Sequence, residues 1–463
     1  MKKISKLISV LMVLTLVCGL FIGCGTKKGE PAGVDNSKQN TENESEKESN
    51  NNNAENNESE PAKKVELKTE TMFGGTDPCT KSYEAFLKKF MNEHKNITIK
   101  DDSMTSVGDE YRTKVKTDFA TGNEPDICYF YSLADADGII NSGKVVTYQE
   151  IWEEYPDIAS DVQEIAKQSV AKNDGNIYSI PISGFYEGLF CNKALFDKYN
   201  LDLPTDWDKL LKAIETFKEK DIIPIAAPVG QSHYLCEFFT IAFGTKEHKA
   251  LFSEGVQDSY IQGLNEIKNF YNMGAFPKSA ITMQIEEAQN LFKLEKAAMT
   301  FDGSWFNGHF KDEFEHLQDK VVILPMPAKN DKKGPKDIIG GYSTGFFVSR
   351  RAWDDKDKRP AVAQFLKEIL SYETLSQFAK DNGGIPVVGE IEIAEDLPSC
   401  NKSGLQMFVD ATAINMPFAD QIKPEAFNHI WKDGVPYIVA GEKTAEEVLN
   451  KAMEIQNSAE NSN

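Results

Sequence analysis

The sequence predicts an α/β protein built as two lobes. One observation is periodicity: early in the chain, short strands that alternate polar and apolar residues are each followed by an amphipathic helix. Recurring strand–helix units imply a mainly parallel sheet covered by helices. The other is length: once the two ends are set aside, about four hundred residues remain, too many for one core and suited to two. No internal repeat is visible.

The ends are not part of that fold. Lys2, Lys3 and Lys6 precede an uncharged apolar run from Leu7 to Ile22, too short for a comfortable membrane span and basic on one flank only. It closes on Leu20-Phe21-Ile22-Gly23-Cys24, which resembles a bacterial lipobox with the usual leucine one place early. That resemblance implies a signal peptide over 1–23 and a lipidated Cys24. Residues 24–64 are Asn, Glu, Ser, Lys and Gly with almost nothing apolar, so they cannot bury enough surface to offset the entropy of ordering. A tether of this kind reaches about 35 Å root-mean-square. Residues 458–463 read as a flexible tail.

The formal net charge is −21 and the pI near 4.9. So acidic a surface speaks against nucleic acid and against electrostatic contact with anionic lipid, and suits a protein working outside the cell. Of seven cysteines, five lie beyond the anchor, and none stands at C-x-x-C or zinc-ligand spacing; buried free thiols are expected.

In chain order, Val65 to Phe73 alternates as a half-buried strand and leads through Gly74-Gly75-Thr76-Asp77-Pro78 into a helix with Tyr83, Phe86, Leu87 and Phe90 on one face. Strand and helix recur at 96–104 with 109–120, and at 126–131 with 134–141. Ligands of such sheets sit beyond the C-terminal strand ends, which makes Gly75, Thr76, Asp77, Ser103, Tyr129, Tyr131 and Ser132 candidates. Asp126 reads instead as a turn residue. The segment 177–182 reads as a short strand carrying Pro181, and Gly184-Phe185-Tyr186-Glu187-Gly188 as a glycine-bracketed turn before a second strand at Leu189 and Phe190. A helix opens at Asn192-Lys193, and another is capped by Thr205 with Asp208. Asp221 to Ala227 is a buried strand, followed by a loop with Gln231, His233 and Tyr234. His233, without a partner at metal-ligand spacing, reads as an ordinary loop residue. Glu237 to Phe243 is a buried helix. Ala297 to Phe301 forms a strand whose C-terminal loop is Asp302-Gly303-Ser304-Trp305, and 320–326 forms another. Pro360 opens an amphipathic helix, and Thr444 with Glu447 caps the last one.

Several of these stretches resemble one family. Tyr178-Ser179-Ile180-Pro181, Gly188-Leu189-Phe190-Cys191-Asn192-Lys193-Ala194-Leu195-Phe196, Pro204-Thr205-Asp206-Trp207, and Lys296-Ala297-Ala298-Met299 through Gly303-Ser304-Trp305 are similar to motifs of the carbohydrate-type extracellular solute-binding proteins of ABC importers, the maltose-binding group. Gly340 to Ser349 and Asn382 to Pro386 extend the likeness, which runs from Val65 nearly to the end. Cys191 stands where that family usually has Tyr, and Asn200 and Glu295 where it usually has Gly.

The resemblance implies a two-lobe, type II periplasmic-binding-protein-like fold, with a ligand cleft between lobes joined by hinge crossings. The first lobe would comprise 65–182 plus 345–395 and the second 183–344 plus 396–457. It implies a saccharide ligand, ABC permease subunits as partners, a monomer on the outer face of the membrane, and no cofactor. An aromatic plane packs against a sugar's apolar C–H face while carboxylates and amides order its hydroxyls. On that basis the expected ligand contacts are Trp305, Tyr186, Phe185, Glu187, Asp302, Tyr342, Tyr234 and Asp77. No nucleophile, P-loop or zinc-protease motif stands in a fitting context, so binding without chemistry is expected. The alternatives are a surface-attached glycoside-processing enzyme, and a receptor for a peptide or cationic solute.

Overall fold

In the computed structural model of the chain, the described residues are 63–106, 109–231, 233–244, 252 and 255–458. The predicted signal peptide, Cys24 and nearly all of the tether and tail lie outside them. Among the described residues the strands are β1 (Val65–Glu70), β2 (Ile97–Asp101), β3 (Ile127–Tyr131), β4 (Ser183–Asn192), β5 (Ile223–Ala226), β6 (Ala297–Gly303), β7 (Val321–Leu324), β8 (Asp337–Gly341), β9 (Thr344–Val348), β10 (Ile385–Pro386) and β11 (Ala413–Asn415).

They form two sheets. The first has the order β2-β1-β3-β9; β1 runs parallel to β2 and β3, and β9 antiparallel to β3 with Ile127 opposite Val348. The second has the order β11-β8-β4-β6-β5, with β7 and β10 also on β4. The parallel expectation holds in the first sheet, where helices Thr80–Glu93 and Glu110–Thr121 make the crossovers. The second sheet is mixed: β4 runs antiparallel to β6, β7, β8 and β10. After β3 the chain passes through four short helical segments and reaches β4 by the isolated bridge of Ile180 to Phe346. It returns through Tyr342-Ser343, between β8 and β9.

The predicted turn at 184–188 is strand. All ten residues of β4 are buried, and its glycines admit close neighbours rather than a reversal. A Cβ at Gly184 would lie 2.6 Å from the Tyr342 ring, and one at Gly188 2.5 Å from Ile323. The strand expected at 177–182 contributes only the bridge at Ile180. Among the described residues two large hydrophobic cores result, with a small third cluster around Met283. Leu67, Phe90, Val115, Phe130, Phe346 and Phe365 belong to one. Leu189, Trp207, Phe217, Phe239, Phe270 and Phe301 belong to the other. Cys79, Cys128, Cys191, Cys236 and Cys400 are buried and unbridged. No described helix is long and apolar enough to cross a membrane.

Candidate functional site

A cavity of about 610 Å³ is lined by residues from strands of both sheets and from the loops that follow them. From the first sheet come Thr76 and Asp77, just after β1, and Tyr129 and Tyr131 of β3. From the second come Phe185 and Glu187 of β4, Tyr234 of helix His233–Phe243, and Trp305 in the turn of 3₁₀ helix after β6. Lining groups thus lie at the C-terminal ends of β1 and β3, as parallel α/β sheets lead one to expect. Ser103 and Ser132 do not line it. Ser103 bonds to Thr71 and Asp101, and Ser132 accepts from Ser179 at 2.7 Å.

Strand alternation sorts β4. Phe185 and Glu187 meet the cavity, and the Phe185 ring lies 5.9 Å from Trp305 at 42°, an apolar corner. Tyr186, between them, turns to the other face, fully buried, where its hydroxyl accepts from Asn307 Nδ2 at 2.9 Å. The expected contact Tyr186 does not line this cavity, because neighbouring residues of a strand point to opposite faces. Tyr342 is also displaced from the lining. It is 7% exposed and packs across Gly184, while the adjacent Ser343 and Thr344 reach the cavity.

Asp302 stands one layer behind. In β6 it pairs with Gly188, and its carboxylate accepts from Gln289 Nε2 at 2.8 Å, Gly303 N at 2.8 Å and Tyr234 Oη at 3.3 Å. The Trp305 side chain also bonds to it. Burial pushes this carboxyl up to about 6, against those four donors. Tyr234, Gln289 and Trp305 all line the cavity, so Asp302 fixes three lining side chains at once. Asp77 is half-buried and accepts from Cys79 N–H at 2.8 Å; burial pushes it up to about 7.

Arg112, Glu237 and Asp420 are residues that sequence reasoning missed. Arg112 lines the cavity, lies 3.8 Å over the Tyr131 ring and donates from Nε to Asp135 at 2.9 Å. Its partners are distant in sequence, so nothing local marked it. Glu237 is 1% exposed; its Oε1 accepts from Phe418 N–H at 2.8 Å, and Oε2 has no hydrogen-bond partner among the described residues. A lone carboxylate in an apolar helical run was the signal available. Glu187 Oε2 is likewise buried without a partner, and burial, then Glu237, Asp420 and Asp302, push its carboxyl far up. His233, expected in a loop, begins helix His233–Phe243 and lines the cavity. Burial, with Arg112 nearby, pulls its imidazole down to about 3. Glu187, His233 and Glu237 each offer a donor atom within 4.8 Å of the other two. Asp126 does not line the cavity; it accepts from Lys68 N–H and pairs with Lys358.

The arrangement suits recognition. An aromatic corner faces carboxylates and amides, the pattern of a polyol site. Cys79 is the lining thiol, but burial, with Asp77 and Asp381 beside it, holds it protonated and poorly nucleophilic.

The family profile described as "Bacterial extracellular solute-binding protein" matches residues 76–374. The chain is 25% identical over 336 residues to the melibiose/raffinose/stachyose-binding protein MelE of Bacillus subtilis, covering 70% of this chain and 74% of that one. It is 22% identical over 360 residues to a probable sugar-binding periplasmic protein of Rhizobium meliloti, covering 74% and 82%. Among solved structures, a chitin oligosaccharide binding protein superposes with TM-score 0.76 at 23% identity, over 85% of this chain and 98% of that one. RafE in complex with raffinose superposes with TM-score 0.68 at 16% identity, over 85% and 100%. At these identities the structural likenesses carry the fold, that of two-domain solute-binding proteins.

Proposed function

Because the chain belongs to the bacterial extracellular solute-binding protein family, we propose that it captures a sugar or oligosaccharide in this cavity and passes it to the permease of an ABC importer. The observation that carries the reading is the Phe185–Trp305 corner with Glu187 on the same face of β4, and Tyr234 and Asp77 in the same cavity. A sugar's C–H face would pack on the indole while its hydroxyls reach the carboxylates. Phe185, Glu187, Tyr234, Trp305 and Asp77 are the direct contacts of this reading, and Asp302 is a positioning residue. Tyr186 and Tyr342 support the strand beneath. The sugar-binding relatives point the same way.

The lobes of this proposal are 65–182 with 345–395, and 183–344 with 396–457; the strand content of the two sheets supports them except at β10, which lies in the first span and pairs with β4. The protein acts as a monomeric receptor and not an enzyme, held at the outer face of the membrane by lipid on Cys24. The unpaired carboxylates favour a peptide or cationic solute as the second reading.

A thermal-shift screen against mono- and oligosaccharides, peptides and polyamines tests both, because a bound solute raises the melting temperature by mass action. A saccharide hit is expected. Trp305→Ala should then weaken that sugar by roughly 30-fold or more, equivalent to about 2 kcal/mol. Unchanged affinity would remove Trp305 from the site. A shift from cations or peptides alone would replace the sugar reading.

A further inference from the structure

We propose that Glu187, His233 and Glu237 form a binding site for a divalent transition-metal ion of the Zn²⁺ class, opening onto the solute cavity. Their three donor atoms lie within 4.8 Å of one another. Two rigid elements supply them. His233 and Glu237 are four residues apart, one turn along helix His233–Phe243, and so share a face. Glu187 projects from β4, which is hydrogen-bonded on both sides.

The two carboxylates are 2% and 1% exposed, and Oε2 of each has no hydrogen-bond partner among the described residues. No lysine or arginine among those residues pairs with either, and the nearby Arg112 is engaged by Asp135. Two converging buried carboxyl groups are tolerated as anions only where something positive joins them, and otherwise hold protons. A sugar hydroxyl could satisfy one oxygen; a divalent ion would displace the protons and engage an oxygen of each carboxylate. The N–H groups of Phe418, on Oε1, and Ala419 fix the Glu237 carboxylate.

One nitrogen with two carboxylate oxygens matches Zn²⁺ better than Ca²⁺, which takes six to eight oxygens. Glu187 and His233 line the cavity and Glu237 lies behind them, so the remaining coordination position faces the solute. There a water or a solute hydroxyl would complete the shell, giving the receptor a metal-dependent contact besides its aromatic corner.

The test is calorimetric titration of ZnCl₂ into the purified, EDTA-stripped protein. One equivalent should bind with a Kd of about 1 µM or tighter, weakened ~100-fold by His233→Ala and by Glu237→Gln. Binding should survive in His94→Ala, which removes the other His–carboxylate grouping, Glu93, His94 and Glu368. Circular dichroism checks that the variants fold. Should either variant fail to fold, Glu187→Gln and the visible spectrum of the Co²⁺-loaded wild type decide the matter instead: weakened Zn²⁺ binding and a ligand-field band are expected, and the absence of both overturns the site. No heat at about 100 µM Zn²⁺, or a titration unchanged by the His233 and Glu237 substitutions, also overturns the proposal. Repeating the sugar screen on stripped protein separates the two ideas. Sugar binding without Zn²⁺ binding removes only the metal site, and Zn²⁺ binding without any sugar removes only the sugar reading.

Discussion

At Asp302 a carboxyl group is buried and yet serves four donors, and its position on the pH scale follows from that conflict. Burial pushes it up to about 6, above an ordinary aspartate. Between about pH 4 and pH 6 the folded state therefore holds a proton that the unfolded chain has released. Stability falls as pH rises through that window, and above it the full cost, of order 3 kcal/mol, is present. Asp302→Asn should remove this dependence. In EDTA, the urea midpoint of the variant relative to wild type should climb from pH 4 to pH 7; a constant difference would refute the assignment. Two other residues show what the sequence alone could and could not convey. Asn200 and Glu295 stand where the resembled family has glycine, and both adopt positive φ, 53° and 55°. Asn tolerates that region. Glu does not favour it, but Lys320, His316 and Asn192 all engage its carboxylate. The positions were legible as glycine-like turns; the compensating partners, distant in the chain, were not.

The element that departs most from its sequence is β4. Glycines at 184 and 188 around aromatic and acidic residues read locally as a turn, because that is what Gly most often signals in a polar stretch. Only the facing Tyr342 ring and Ile323 reveal that the missing side chains make room for neighbours. A turn carries no two-residue alternation, so that reading sets Tyr186 beside Phe185 and Glu187 when the strand sends it to the opposite face. Gly188→Ala would drive a Cβ against Ile323 Cγ2 and within 3.1 Å of the Leu324 carbonyl. Overpacking of this kind costs about 1–3 kcal/mol, so the urea midpoint should drop; an unchanged midpoint would show that β4 has slack. By contrast, two helix caps held almost to the residue. Thr444 and Glu447 form the capping box of Ala445–Asn457, and Asp206, one place after the expected Thr205, caps Trp207–Glu219.

For the molecule as a whole, the α/β class and the presence of two sheets followed from local strand–helix rhythm and from length. The direction of β4 and the convergence of Arg112, Glu187, Glu237 and Asp420 did not, since both depend on pairings between distant segments. The proposed anchoring belongs at this scale too. Cys24→Ser should shift the protein from the membrane fraction to the medium of a Gram-positive host while leaving the solute-induced thermal shift intact. Retention on membranes would point to another means of attachment.

The five buried, unbridged thiols bear on how such a chain survives after export. Its two cores hold without covalent staples, so the folded state owes nothing to an oxidant and has nothing to lose to a reductant. Cys79 borders the cavity, whereas Cys128, Cys191 and Cys236 are sealed deep in the strands and helices of both halves until their surroundings open. A thiol reagent therefore reads the rate at which each half breathes, turning these side chains into resident clocks of local unfolding.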